Sequence, residues 1–208
     1  MGRAYDRLPD ELRDFVMRQH VFFVATAPMA ADGHVNVSPK GYDTLRILDD
    51  RTVCYLDISG SGAETIAHVR ENERITIMCC AFEGKPDVVR LYGRGEVVFT
   101  DDDGFAGYVD LFPPRSGVRA VIVVHLDRVS STCGFGVPLM DFVADRERLE
   151  EVFAARGPDG LPDYWASKNA FSVDGLPAVP SSTNRTSSTD VSAERTADRA
   201  TGAASSAG

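Results

Sequence analysis

Basic charge is in short supply along this chain. Its 22 Lys and Arg face 31 Asp and Glu, a formal net charge of −9 over 208 residues. Nucleic acids and anionic bilayers need a basic surface, so neither is expected as a partner. Net charge leaves a local basic pocket open. Cysteine is sparse as well: Cys54, Cys79, Cys80 and Cys133 show no Cys-x-x-Cys spacing. Cys79 and Cys80 are neighbours in a strand-like run and should face opposite sides of it. This argues against a zinc site and for reduced thiols packed as small apolar groups, as in a reducing compartment. A membrane-length apolar run is missing too. Val21 to Ala31 imitates the apolar part of a signal peptide, but it follows the acidic, helix-patterned stretch 10–19 instead of a short basic lead. It is also too short to cross a bilayer, and a cytoplasmic location is expected. Gly-x-Ser-x-Gly and His-Glu-x-x-His are absent, and His20, His34, His68 and His125 share no i, i+4 spacing. Each is expected at or near the surface. A Ser-His-Asp triad assembled from distant positions stays open.

What is present reads as one globular domain, with 43% hydrophobic and 25% charged residues. Leu8, Leu12, Phe15 and Val16 share a helical face, and Pro9 suits a first turn. Strand candidates follow. Val21–Ala27 and His34–Ser38 flank Asp32-Gly33 as a hairpin, and Arg46–Leu48 and Thr52–Asp57 flank Asp49-Asp50. Ile75–Phe82, Val88–Phe99 and Ala120–Val129 are longer and rich in β-branched residues. Gly93-Arg94-Gly95 suggests a bulge or close backbone approach. Short helices are expected at 63–72, 103–112 and 145–156, the last with Leu149, Val152 and Phe153 on one face. Many strands with few helices favour a barrel over a doubly wound sheet. Residues 180–208 hold one large apolar side chain, Val191, and are expected to be a disordered tail.

Three segments could carry chemistry. Residues 55–65 run from a strand through Ser59-Gly60-Ser61-Gly62 into a helix start, a natural seat for an anion such as phosphate, with Ser59, Ser61 and Thr65 as hydroxyl donors. Ser61 and Glu64 also fit a capping box, which satisfies the same N–H groups without a ligand. A dinucleotide fingerprint is not met, since Gly60-x-Gly62 lacks the third glycine. In the segment 34–41, alternation puts His34, Asn36 and Ser38 on one face and Val35 and Val37 on the other. Pro39 is expected to end that strand, and a Lys40-Gly41 turn could aim an ammonium at a phosphate or simply leave it at the surface. Residues 131–138 follow the last long strand with tight backbone. Cys133 lies there with no base tied to it by spacing.

Taken together, GHVNVSPKG at 33–41, YLDISGSGAETIAHVRENERITIMCCAF at 55–82, RLYGRGEVV at 90–98, RAVIVVHLDRVSSTCGFGVP at 119–138 and NAFSVDGLPA at 169–178 resemble the pyridoxamine 5′-phosphate oxidase-like family. The resemblance covers about residues 8–179. It implies a mainly β fold with short helices, a split β-barrel of the FMN-binding type over 1–179 with a C-terminal helical extension. It also implies a homodimer with FMN in clefts at the interface. Asn36, Val37, Ser38 and Lys40 would lie along the isoalloxazine ring and reach toward the phosphate. Leu56, Asp57, Ser59, Ser61 and Thr65 would wrap the ribityl chain and phosphate. The Ser-(Arg/Lys)-Lys phosphate motif of the oxidases themselves is replaced by Gly60-Ser61-Gly62, and Trp165 stands outside their Arg/Trp substrate segment. The implied activity is a flavin-dependent oxidoreductase acting on a small molecule. The relatives extend to deazaflavin (F420) reductases and haem-handling proteins, so F420 or haem is the alternative cofactor, and binding or sensing without turnover the alternative role. Flavin hydride chemistry needs no Ser-His or paired-carboxylate machinery, and no catalytic residue or metal is singled out.

Overall fold

The computed structural model describes residues 2–180. Its strands are β1 (Arg3–Tyr5), β2 (Phe22–Thr26), β3 (Asn36–Lys40), β4 (Leu45–Ile47), β5 (Thr52–Ile58), β6 (Arg74–Cys80), β7 (Asp87–Phe99) and β8 (Val118–Cys133). The helices are α1 (Asp10–Met17), α2 (Glu64–Asn72), α3 (Phe105–Val109), α4 (Arg148–Arg156) and α5 (Leu161–Lys168), the last preceded by a 3-10 turn at Pro158–Gly160. Every named pairing is antiparallel, in the order β3-β2-β6-β7-β8-β5-β4, with β1 added to β8.

The two ends of that order come back toward each other. Lys40 on terminal β3 meets Asp57 on β5, one strand in from the opposite end, at 3.0 Å. The sheet therefore curls into a barrel that is open along one seam, the expected split β-barrel. Its interior takes one face of each strand: Val24, Val53, Tyr55, Ile77, Leu91, Ile122 and Val124 join Leu12, Phe15 and Val16 of α1 in the main core. The alternate face of β5, β7 and β8 carries Cys54, Leu56, Val98, Val121 and Val123, a smaller cluster with Phe112 and the α3 side chains Phe105, Tyr108 and Val109 packed on it. Period-2 alternation explains the division.

Several boundaries differ from expectation. β3 runs through Pro39, which pairs with Phe23, to Lys40. Proline is tolerated there because β3 is a terminal strand whose other edge needs no N–H donor. β8 continues to Cys133, since Ser130 and Ser131 pair with β1 on one side and β7 on the other. The suspected bulge is real: register shifts at Tyr92/Gly93, and a Cβ on Gly93 would overlap the His125 carbonyl. α4 starts only at Arg148 and buries Phe153 alone, leaving Val152 exposed. β1 and α5 had no clear sequence signal, and the tail from Ser181 onward lies outside the described residues. Among the described residues no helix is long and apolar enough to cross a membrane.

Candidate functional site

A buried carboxylate organises the open seam. Asp57 is 0% exposed and faces the barrel interior, in step with Val53 and Tyr55. Arg119 donates to its Oδ2 from Nε at 2.8 Å and from Nη2 at 2.7 Å, and Lys40 donates from Nζ to Oδ1 at 3.0 Å. Burial pushes the Asp57 carboxyl up, but the Arg119 and Lys40 charges outweigh it and hold the group below its ordinary value. Arg119 also donates from Nη1 to the Gly62 carbonyl at 3.0 Å. One linkage thus joins β3, β5, β8 and the loop ahead of α2. Two cations against one carboxylate leave a positive charge, and Lys40, 19% exposed, presents it outward. Its ammonium has three protons, of which Asp57 takes one.

Arg119 reaches this place through a local irregularity. Asp57 pairs with Ala120 and Ile58 with Val118, so Arg119 is an extra, unpaired residue on β8. Strict alternation would set it on the outer face with Val121, and the bulge turns it inward. Sequence reasoning missed it for that reason.

Beside the clamp runs a chain of neutral hydrogen bonds. Asn36 Nδ2 donates to Thr26 Oγ1 at 3.2 Å and to Thr65 Oγ1 at 3.0 Å, and its Oδ1 accepts from Ser38 at 3.1 Å. Thr26 Oγ1 lies 3.0 Å from His68 Nδ1. His68 is wholly buried, contrary to the expectation of a near-surface histidine, and burial lowers its pKa, so it stays neutral. Its Nε2 is buried with no protein partner.

The structure therefore brings Asn36, Ser38, Lys40, Asp57 and Thr65 together and parts them from two others. Val37 points out of the barrel at 61% exposure, and Leu56 is buried in the outer cluster beneath α3. Ser59 and Ser61 lie in the small-residue loop. The capping box is not formed: Ala63 is the N-cap of α2, without a side-chain cap. Glu64 instead accepts from the Val173 N–H at 3.3 Å. The C-terminal segment straps this loop at further points. Trp165 Nε1 donates to Ser59 Oγ at 2.8 Å and Asn169 Nδ2 donates to the Gly60 carbonyl at 2.8 Å, while Asp174, away from the loop, takes His34 Nδ1 at 2.6 Å just ahead of β3. Trp165 and Asn169 went unread as site residues. Their signal was the i, i+4 spacing of the chain's one Trp and the Asn that opens the terminal motif.

Gly60 keeps one side open, with nothing within 4 Å of a Cβ built there, and Ser61 is exposed. The loop therefore has a strapped side and a free side. The free side combines the uncapped start of α2 with the exposed Ser61 hydroxyl, an arrangement suited to an anion, while Ser59 is buried on the strapped side beneath its bond from Trp165. The clamp adds positive charge at Lys40, which also lines a cavity of about 520 Å³. No group of three or more metal-ligating side chains occurs among the described residues.

The model of the pyridoxamine 5′-phosphate oxidase family matches residues 8–133. The chain belongs to this family. A pyridoxamine 5′-phosphate oxidase family protein of Aspergillus flavus, ustO, is 41% identical over 196 residues, covering 85% of this chain and 78% of its own. Among solved structures, HupZ of Group A Streptococcus is 23% identical, with a TM-score of 0.47 over 59% of this chain and 91% of its own. A FAD binding protein from Mycobacterium smegmatis is 12% identical, with a TM-score of 0.43 over 61% and 97%. The pyridoxamine 5′-phosphate oxidase family match ends at the last residue of β8, so Trp165, Asn169 and the rest of the strap lie beyond it.

Proposed function

We propose that this protein binds a flavin, as FMN, and acts as an oxidoreductase on a small molecule. The observation that carries the reading is the positive Lys40–Asp57–Arg119 clamp tied to the glycine-rich loop at the start of α2, in a chain of this family. FMN needs an anion seat and a flat support for its ring. For the phosphate, the loop offers the N–H groups at the start of α2 and the Ser61 hydroxyl, while Ser59 is buried and bonded by Trp165. Arg119 fixes the loop through Gly62, and Lys40 supplies uncommitted ammonium protons. Asn36 and Ser38 spend their polar groups on each other and on Thr26 and Thr65, so their part is to hold β3 rigid. A bound flavin would accept or give the hydride.

The second half of the site comes from a second copy of the chain. β3 is a terminal strand; Val37 on it and Val35 just ahead of it are 61% and 71% exposed. An unpaired apolar edge of this kind calls for a cover. In that arrangement Val37, turned away from its own barrel, would face the cleft shared with the partner.

The test is the absorption spectrum of freshly purified protein, followed by extraction and chromatography of the chromophore. Bands at roughly 370 and 450 nm that co-elute with FMN are expected. A colourless protein that takes up no FMN on titration overturns the reading. Anaerobic bleaching by NADH or NADPH then tests for redox turnover.

A further inference from the structure

The cavity at Lys40 has a wall that the family match does not reach. One side comes from the end of α1 and the end of β3, and the other from residues 140–146. That second side is pinned at three points. Met140 donates its N–H to the Phe82 carbonyl at 2.9 Å, and Tyr42 donates its hydroxyl to the Arg146 carbonyl at 2.6 Å. Between them the Phe142 ring stacks on His20, with centroids 3.8 Å apart and planes 6° from parallel.

The facing corner is built with equal care. Tyr42 has φ 62°, a left-handed backbone that a bulky side chain rarely adopts. Arg115 holds it there, donating to the Tyr42 carbonyl at 2.8 Å with its guanidinium 5.4 Å from the ring. Strain kept by surrounding contacts is common where a pocket is shaped for a ligand.

The lining chemistry narrows what fits. Flat and apolar groups dominate: Phe142, Tyr42, Phe82, Met140, Pro39 and Val21. Rim charges of both signs, Arg18 and Arg146 against Glu83, Asp141 and Asp145, are exposed and screened by salt. The charge that discriminates is the half-buried Lys40 ammonium. Asp57 takes one of its protons, the flavin reading takes another, and a third is left for the cavity. A volume of about 520 Å³ suits a molecule of two or three fused rings.

We infer that this cavity binds a flat aromatic molecule bearing an anionic oxygen, such as an aromatic carboxylate or phenolate, with its ring on Phe142 and Met140 and its oxygen on Lys40. The inference rests on the flavin reading only for the ligand's role, as the substrate class of the same site; binding itself is measurable without flavin. The test titrates naphthoate, naphthamide and the non-aromatic decalin carboxylate into the full chain, flavin-free and FMN-loaded. Saturable naphthoate binding is expected in both forms, weakened about tenfold by Phe142→Ala or Met140→Ala through lost ring contact. Naphthamide should bind less tightly than naphthoate, and Lys40→Met should remove the difference. Phe142 is 51% exposed and Met140 59%, so both truncations leave the core intact, and melting curves verify it. The inference is overturned by non-saturable naphthoate uptake, by decalin carboxylate binding as well, or by wild-type affinity in both truncations. Parallel loss of FMN and naphthoate in Phe142→Ala also overturns it, by making the cavity part of the flavin seat. Failure of FMN to bind, with naphthoate binding as described, sinks the flavin reading alone.

Discussion

Lys40 and Asp57 meet at 3.0 Å across the open seam of the barrel, although they stand on strands near opposite ends of the sheet. Asp57 is fully buried and Lys40 is not, so the pair closes the seam from inside while the ammonium keeps contact with the outside. A lysine on the last residue of a terminal strand is thereby held in one place instead of sweeping through solvent. Fixed charge is worth more to a ligand than mobile charge, since less freedom is lost on binding.

Lys40→Ala is expected to weaken FMN binding. A charge-assisted contact contributes about 1.5–3 kcal/mol, which is roughly a ten- to hundredfold loss of affinity. Riboflavin lacks the phosphate and should bind wild type and variant equally. Lys40→Arg restores charge but replaces a compact ammonium with a larger planar fork of different geometry, so partial rescue is the expected result. Titration of both ligands decides the matter. Unchanged FMN affinity would move the phosphate role to the Ser59–Thr65 loop alone.

Arg119→Met should destabilise the fold strongly. It leaves the fully buried Asp57 carboxylate with Lys40 as its one remaining cation and frees the Gly62 carbonyl. Breaking a buried ion pair from one side costs about 3–5 kcal/mol. Asp57→Leu combined with Arg119→Met should cost clearly less than the sum of the two single changes, because each removes the charge that the other strands. Urea unfolding of the three variants gives the coupling. Simple additivity would mean that the two side chains do not act as one unit.

The same carboxylate sets a direction for acid sensitivity. Despite burial, Arg119 and Lys40 hold the Asp57 carboxyl below its ordinary value in the folded protein. An unfolded-state Asp titrates near about 3.9. Its contribution to stability is therefore whole above that pH and is lost as pH falls through the lower folded value. Asp57→Asn should flatten the acid limb of the stability curve relative to wild type, while lowering stability at neutral pH. Equal acid slopes in the two proteins would assign the limb to other carboxylates.

Much of this arrangement was legible from residue order, and the exceptions have physical causes. Alternation sorted Asn36 and Ser38 from Val35 and Val37 correctly, because β3 is regular. The same rule failed for Arg119, because a bulge inserts a residue at that point and no local pattern announces it. Ser61 and Glu64 had the spacing of a capping box, yet Glu64 went to the Val173 N–H, a partner 109 positions away. The small-residue loop stood out in the sequence, but its strapping by Trp165 and Asn169 did not, since it depends on a helix docking from outside the barrel. The side chain of Leu56, a residue the resemblance sets along the cofactor, packs in the outer cluster beneath α3, a partner that residue order does not announce.

Val37 lies on β3, pairs with Ala25 on one side, and turns its side chain outward at 61% exposure. If a second copy covers this edge, Val37→Lys buries an unpaired ammonium in the interface. Protein surfaces desolvate such a charge only at a cost of several kcal/mol, and a dimer held by a modest apolar contact does not survive that. Within the monomer the same change is mild, since the side chain touches neither the main core nor the outer cluster. Sedimentation should therefore report a dimer for wild type and a monomer for Val37→Lys, with melting behaviour that no longer depends on protein concentration. Flavin content separates the two models of the site. If each cleft needs both copies, the monomeric variant loses FMN although Lys40, Asp57 and Arg119 are untouched. A monomeric variant that keeps its FMN would place the whole flavin seat within one chain, and a Val37→Lys protein that stays dimeric would move the interface away from β3.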